Sequence, residues 1–210
     1  DAKIVYGATK TEMTVEGAFN DAIKVIEIQA HGSSTGFKGL AANACDIAMA
    51  SRKIKDKEIK KLASLGDMTT IACEHIVGLD GIAVIVNKAN PVRELSIRQI
   101  AEIFSGKIKD WAELGAPAGA INVYARDDNS GTYDTFKSIV LKKVYKLVKT
   151  ARRFESNPVL SDEVAGDAFG IGFTGLPYIR NAKAVAVSDD EATAILPTYF
   201  TVATEDYALS

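Results

Sequence analysis

Cysteine and histidine are scarce in this chain, with two of each in 210 residues beside a single tryptophan. Two cysteines, Cys45 and Cys73, cannot build a disulfide scaffold or a zinc site. The histidines, His31 and His75, have no Cys or His partner at ligand spacing, so no metal centre and no cofactor is expected. A single Cys45–Cys73 bridge would add roughly 3 kcal/mol on loop-entropy grounds. Two buried free thiols fit the sequence as well. No apolar run reaches the ~18 residues of a membrane-crossing helix. Residues 1–3 do not resemble a signal peptide, and the expectation is that any targeting segment has been removed. Charge of one sign is also lacking. A net charge of −2 excludes bulk attraction to nucleic acid or an anionic membrane, so any anion site must be local.

What is present is an ordinary globular composition, 47% apolar and 25% charged. The length suffices for one domain or two small lobes. Apolar runs suited to strands alternate with segments of helical spacing, which indicates an α/β fold. Strands are expected at 3–6, 25–30, 46–50, 69–77, 81–87, 121–124, 170–173, 184–187 and 192–196. The run 81–87 is the most continuous and suits a strand buried on both faces. Helices are expected at 16–25, 37–43, 56–65, 133–142, 162–168 and 176–181. Ser96 and Gln99 form a capping box for another, with Ile97, Ile100, Ile103 and Phe104 turned inward. Trp111 reads as a core or inter-lobe aromatic. The basic run from Lys142 to Arg153 reads as a solvated helical face, since no aromatics interleave to stack bases. There is no internal repeat and no low-complexity segment.

The chemistry concentrates at 125–132, Ala-Arg-Asp-Asp-Asn-Ser-Gly-Thr. A strand precedes it and a helix follows. The first turn of a helix has N–H groups without intrahelical partners and partial positive charge, which together favour an anion. Ser130 and Thr132 add hydroxyl donors, and Gly131 allows close backbone approach. Arg126 supplies a permanently charged fork matched to an oxyanion, and Asp128 is placed to brace it. An N-capped helix with a surface ion pair would have the same sequence. A second strand–polar turn–helix entry occurs at 31–36, with Ser33 in the turn.

These pieces together resemble the PstS-like family of periplasmic phosphate-binding proteins, the solute receptors of phosphate ABC transporters. The resemblance lies in HGSSTGFKGL (31–40), DIAMASRKIK (46–55), HIVGLDGIAVIVN (75–87), IAEIFSGKIKDWAELG (100–115) and YARDDNSGTYDTF (124–136). It continues through GIGFTGLPYI (170–179) and AILPTYFTVATEDYALS (194–210). It implies a type II periplasmic-binding-protein fold, two α/β lobes joined by crossing strands. The expected division is lobe I at 1–80, lobe II at 81–192, and a return crossing at 193–210, with its strand over 193–202. It further implies a non-enzymatic, monomeric receptor in the periplasm or cell envelope. Its partners would be inorganic phosphate and a membrane permease, with no nucleic acid. Ser33, Arg126, Ser130, Gly131 and Thr132 match the family's anion-binding positions, and Asp128 its bracing aspartate.

Two departures stand out. Many members carry a carboxylate just after the strand at 46–50, which accepts the proton of hydrogen phosphate. Here Ser51 occupies that position, and it can donate as well as accept. Asp80 is the candidate substitute; a turn-forming aspartate ahead of Gly81 is the plainer alternative. The opening strand and turn of the family have no counterpart in 1–24, and the chain stops short of the usual end, so a fragment truncated at both ends is expected. Two rivals remain. One is a phosphate-ester hydrolase using Ser130 as nucleophile. The other is a receptor fold serving as an envelope interaction module.

Overall fold

The structure, a computed structural model, describes residues 3–7, 11–20, 22–189 and 192–210. Three strands open the chain: β1 (Lys3–Tyr6), β2 (Glu12–Phe19) and β3 (Ala22–Gln29), an antiparallel meander. The helix expected over 16–25 is therefore a hairpin. Asn20, at φ 49°, turns the chain so that Phe19 pairs with Ala22. Asparagine enters the left-handed region at little penalty, and a tight turn outcompetes a weak helical pattern.

Helices α1 (Ser33–Ala41) and α2 (Asp56–Leu62) follow, α2 ending in a 3-10 turn at Ala63–Leu65. The strands expected at 46–50 and 69–77 are absent. Ile47, Met49, Ile71, Ile76 and Val77 are exposed. Both segments have the composition of strands, but neither finds a ladder partner among the described residues. Pairing is a non-local property that composition cannot guarantee. Cys45 and Cys73 are both free, Cys45 half-buried and Cys73 exposed, so neither the bridge nor a pair of buried thiols is formed.

The remaining chain builds the core. It comprises β4 (Ile82–Val86), β5 (Glu94–Ser96), α3 (Ile97–Ser105), β6 (Asn122–Arg126), α4 (Gly131–Phe136), β7 (Arg152–Phe154), α5 (Asn157–Gly166), β8 (Gly170–Gly175), β9 (Lys183–Ala184), β10 (Ala186–Ser188) and α6 (Tyr199–Ala203). Five strands form one sheet in the order β7-β6-β8-β4-β9. Strand β6 runs parallel to β7 and β8, and β4 runs antiparallel to β8 and β9. Strands β5 and β10 pair separately, in parallel.

The alternation of β4 explains its continuous apolar sequence. Ile82, Val84 and Val86 face one core with Phe104, Trp111, Phe136 and Phe173. Ala83 and Ile85 face the other, with Tyr124, Leu160 and Val164. Phe136 stacks on Phe173 with centroids 4.0 Å apart, which fixes α4 against the sheet. Helix α3 opens on the expected capping box and closes on Gly106 at φ 76°.

Beyond α4 the helix widens into a π turn at Lys137–Leu141 and stops at Lys142, φ 51°. Residues 142–151 are loop, so the basic run is not a helical face. The strand expected at 192–196 is reduced to a bridge between Ile195 and Val187, and the crossing strand over 193–202 is replaced by α6. The final turn is tied in: Ile82 N donates to Leu209 O at 2.9 Å, and Tyr207 Oη donates to Ile82 O at 2.9 Å. Both Tyr207 and Leu209 are buried.

Candidate functional site

Arg126 is the last residue of β6, at the carboxyl end of a strand flanked by two parallel neighbours. Ligands in open α/β sheets gather at that end. Its side chain is buried, and the local chain holds the guanidinium in place. Nε donates to Phe154 O at 3.2 Å, Nη2 to Glu155 O at 2.5 Å, and Nη1 to Asn157 Oδ1. Asn157 is itself fixed by the Thr174 hydroxyl at 3.1 Å, from β8. Three of the five guanidinium N–H groups are thus used, which leaves two for a guest. Burial pulls the Arg126 pKa down, only partly offset by Asp127, Glu155 and Tyr178. A guanidinium stays charged even so, and a desolvated cation gains more from an anion than an exposed one.

The brace expected from Asp128 is not made. Its exposed carboxylate accepts from Arg153 Nη2 at 2.6 Å. Arg126 is positioned instead by two carbonyls and an amide oxygen, which satisfy its N–H groups without cancelling its charge.

After Arg126, Asp127 Oδ1 accepts from Asn129 N at 2.9 Å, turning the chain into α4. Ser130 caps α4, its Oγ accepting from Tyr133 N at 3.2 Å. Thr132, in the first turn of α4, is buried. The start of α1 abuts this turn. Ser34 N donates to Asn129 O at 3.4 Å, and Gly32, at φ 104°, leaves no room for a Cβ beside that carbonyl. Ser33 is buried; its Oγ accepts from Ser51 N at 3.0 Å and lies 3.3 Å from Ser51 Oγ. A Cβ at Gly131 would overlap both serine hydroxyls. Ser33, Ser51 and Gly131, far apart in sequence, therefore meet at one point.

Asp80 lies beside Gly175 and Leu176 at the end of β8, its Oδ1 accepting from Gly81 N at 2.9 Å. Burial of the carboxyl raises its pKa, and the Gly81 and Leu176 N–H groups offset this only in part. His31 sits between Glu12 (3.5 Å) and Glu155 (3.4 Å), and no hydrogen bond links it to a serine among the described residues.

Sequence reasoning overlooked Arg52. Its side chain is 5% exposed and forms a fork-to-fork pair with Glu58, at 2.9 and 2.8 Å. Nε donates to Asp134 Oδ2 at 2.9 Å and Nη2 to Ser34 Oγ at 3.1 Å. Lys55 and Lys137 also pair with Asp134, at 2.5 and 3.3 Å. Burial lowers the Arg52 pKa, but Glu58 and Asp134 outweigh it and the net shift is upward. No periodicity marks this network, because its members lie in three separate segments.

With this geometry in hand, the comparisons with known proteins are decisive on ancestry. Residues 5–210 match the family model described as a PBP superfamily domain. The chain belongs to the PBP superfamily. It is 35% identical over 186 residues to the phosphate-binding protein PstS of Staphylococcus aureus (strain USA300), covering 85% of this chain and 55% of that protein. The chain thus spans about half the length of the curated relatives it matches. Among solved structures it is similar to one described as a phosphate ABC transporter substrate-binding protein, with bound phosphate, from Clostridium perfringens. That match has 32% identity and a TM-score of 0.71, over 85% of this chain and 68% of that one. An ABC-type phosphate transport receptor from Vibrio cholerae matches at 27% identity and a TM-score of 0.65, over 86% of this chain and 70% of that one. The mixed α/β architecture agrees with this superfamily.

Proposed function

We propose that this chain binds inorganic phosphate without turning it over, as the receptor part of an ABC importer in the cell envelope. The observation that carries this reading is the meeting of Ser33, Ser51 and Gly131 at the start of α4, the helix that follows the strand ending on a buried Arg126 with N–H groups to spare. A multiply charged oxyanion is stable out of water only when paired and hydrogen-bonded on many sides. Two helix starts, serine and threonine hydroxyls and a guanidinium supply donors of the required kind. The names of the relatives point to the same ligand. In this reading residues 1–80 and 81–192 act as two lobes, with 193–210 leading back between them. A membrane permease receives the phosphate.

In this reading Ser51, a member of the serine cluster, accepts the hydrogen phosphate proton, and Asp80 is the alternative acceptor. The hydrolase alternative is disfavoured because Ser130 Oγ is occupied as a helix cap and no base contacts it among the described residues. Isothermal titration with phosphate, repeated in excess sulfate, tests the proposal. Saturable heat that survives sulfate and vanishes in Arg126→Ala is expected; no heat from the intact protein would end it.

A further inference from the structure

The loop 142–151 interrupts the helical continuation of α4 and wraps an open hollow of about 630 Å³. Six cations line it: Lys137, Lys142, Lys143, Lys146, Lys149 and Arg153. Residues 137–153 hold seven of the chain's 25 basic residues and not one Asp or Glu, in a protein of net charge −2. Lys137 and Arg153 have acidic partners in Asp134 and Asp128. Lys142, Lys143, Lys146 and Lys149 have no carboxylate within salt-bridge distance among the described residues.

The loop is pinned rather than draped. Val148 N donates to Phe104 O at 2.8 Å, Tyr145 N to Leu141 O at 3.0 Å, and the Val148 side chain packs over Gly106. Four lysines without a carboxylate partner thus line one concavity on a pinned backbone, and a multivalent anion would relieve their mutual repulsion.

We infer that this hollow is a second anion site, distinct from the serine–arginine site and suited to a short linear oligophosphate. Lysine ammoniums act as point charges on phosphate, and several around a concavity match several phosphates in a row. Nucleobases are disfavoured because both tyrosines of the hollow already carry cations on their rings. Lys107 stands 4.7 Å from the Tyr145 centroid, and Lys137 and Arg153 stand 5.0 and 4.5 Å from that of Tyr133. Each ring thus already has a cation against it, which competes with its use as a stacking platform of the kind single strands use. A flat anionic membrane would meet a rim of charge, not the hollow.

The probe is inorganic tripolyphosphate, titrated calorimetrically into the wild type, Arg126→Ala, and a triple variant carrying Lys143→Glu, Lys146→Glu and Lys149→Glu. A Lys→Gln triple and thermal melts guard against misfolding. Tripolyphosphate should bind wild type and Arg126→Ala alike, weaken about tenfold or more in both triples, and lose affinity steeply with salt. Orthophosphate binding should not change in the triples. The inference is overturned if tripolyphosphate fails to bind, or if Arg126→Ala abolishes its binding. Equal binding by folded triples, a preference for heparin, or binding only to phosphatidylserine vesicles would overturn it as well.

Discussion

Arg52 Nε donates to Asp134 Oδ2 at 2.9 Å, joining the segment that carries Ser51 to the helix that begins at Gly131. Both side chains are almost fully buried, and the remaining guanidinium nitrogens are spent on Glu58, Ser34 and Lys53 O. A buried pair of this kind adds little net stability over a well-packed apolar pair, but breaking it by removing one partner is severe. What it fixes is position. It holds the two sides of the serine cluster in register without placing a free charge in the cluster itself.

Asp134→Asn should destabilise the fold by roughly 3 kcal/mol at neutral pH, because Arg52 and Lys55 lose a buried counter-charge. Chemical denaturation measures this. Loss within a few tenths of a kcal/mol would show the pair to be incidental.

The same network sets an acid limb. Burial by itself pushes the Asp134 carboxyl up, but Lys55, Arg52 and Lys137 outweigh it and hold its pKa below the usual carboxylate range. Glu58 behaves alike through Arg52. A depressed folded pKa gives stability that is present above the ordinary value of about 4 and lost as pH falls through the folded one. Melting temperature should therefore drop below about pH 4 in the wild type, and Asp134→Asn should flatten that drop.

Gly131→Ala should abolish phosphate binding while costing about 1–3 kcal/mol of stability, since the new methyl displaces the Ser33 and Ser51 hydroxyls. Titration and denaturation on one preparation separate the two effects. Retained affinity would mean that the cluster is not the ligand site.

Ser51→Ala and Asp80→Asn distinguish the two candidate proton acceptors. Ser51→Ala is expected to weaken phosphate by about 1 kcal/mol or more, and Asp80→Asn to leave it nearly unchanged. The reverse order would move the acceptor role to Asp80. For Asp80 the stability sign is opposite to that of Asp134. A raised folded pKa makes the protein relatively more stable at low pH and less so as pH rises through the interval, a dependence that Asp80→Asn should remove.

Asp128→Ala should change phosphate affinity by less than about 0.5 kcal/mol, because its partner is Arg153 in an exposed pair. A large loss would restore the bracing role suggested by its sequence position.

Local and periodic features were legible without coordinates. The run at β4 announced two-sided burial, Ser96 and Gln99 announced the start of α3, and Arg126 followed by Ser130-Gly131-Thr132 announced a charged fork ahead of a helix start. Each is decided within a few residues by backbone propensity, capping or apolar alternation, so the amino-acid order alone suffices. Tertiary structure decided the rest. It turned 46–50 and 69–77 away from any ladder, sent Asp128 to Arg153, and brought Ser33, Ser51 and Gly131 together. It also gave Arg52 its partners and curled the lysines of 142–149 around a hollow. All of these are contacts between distant segments, and no local pattern encodes which distant partner a side chain will meet.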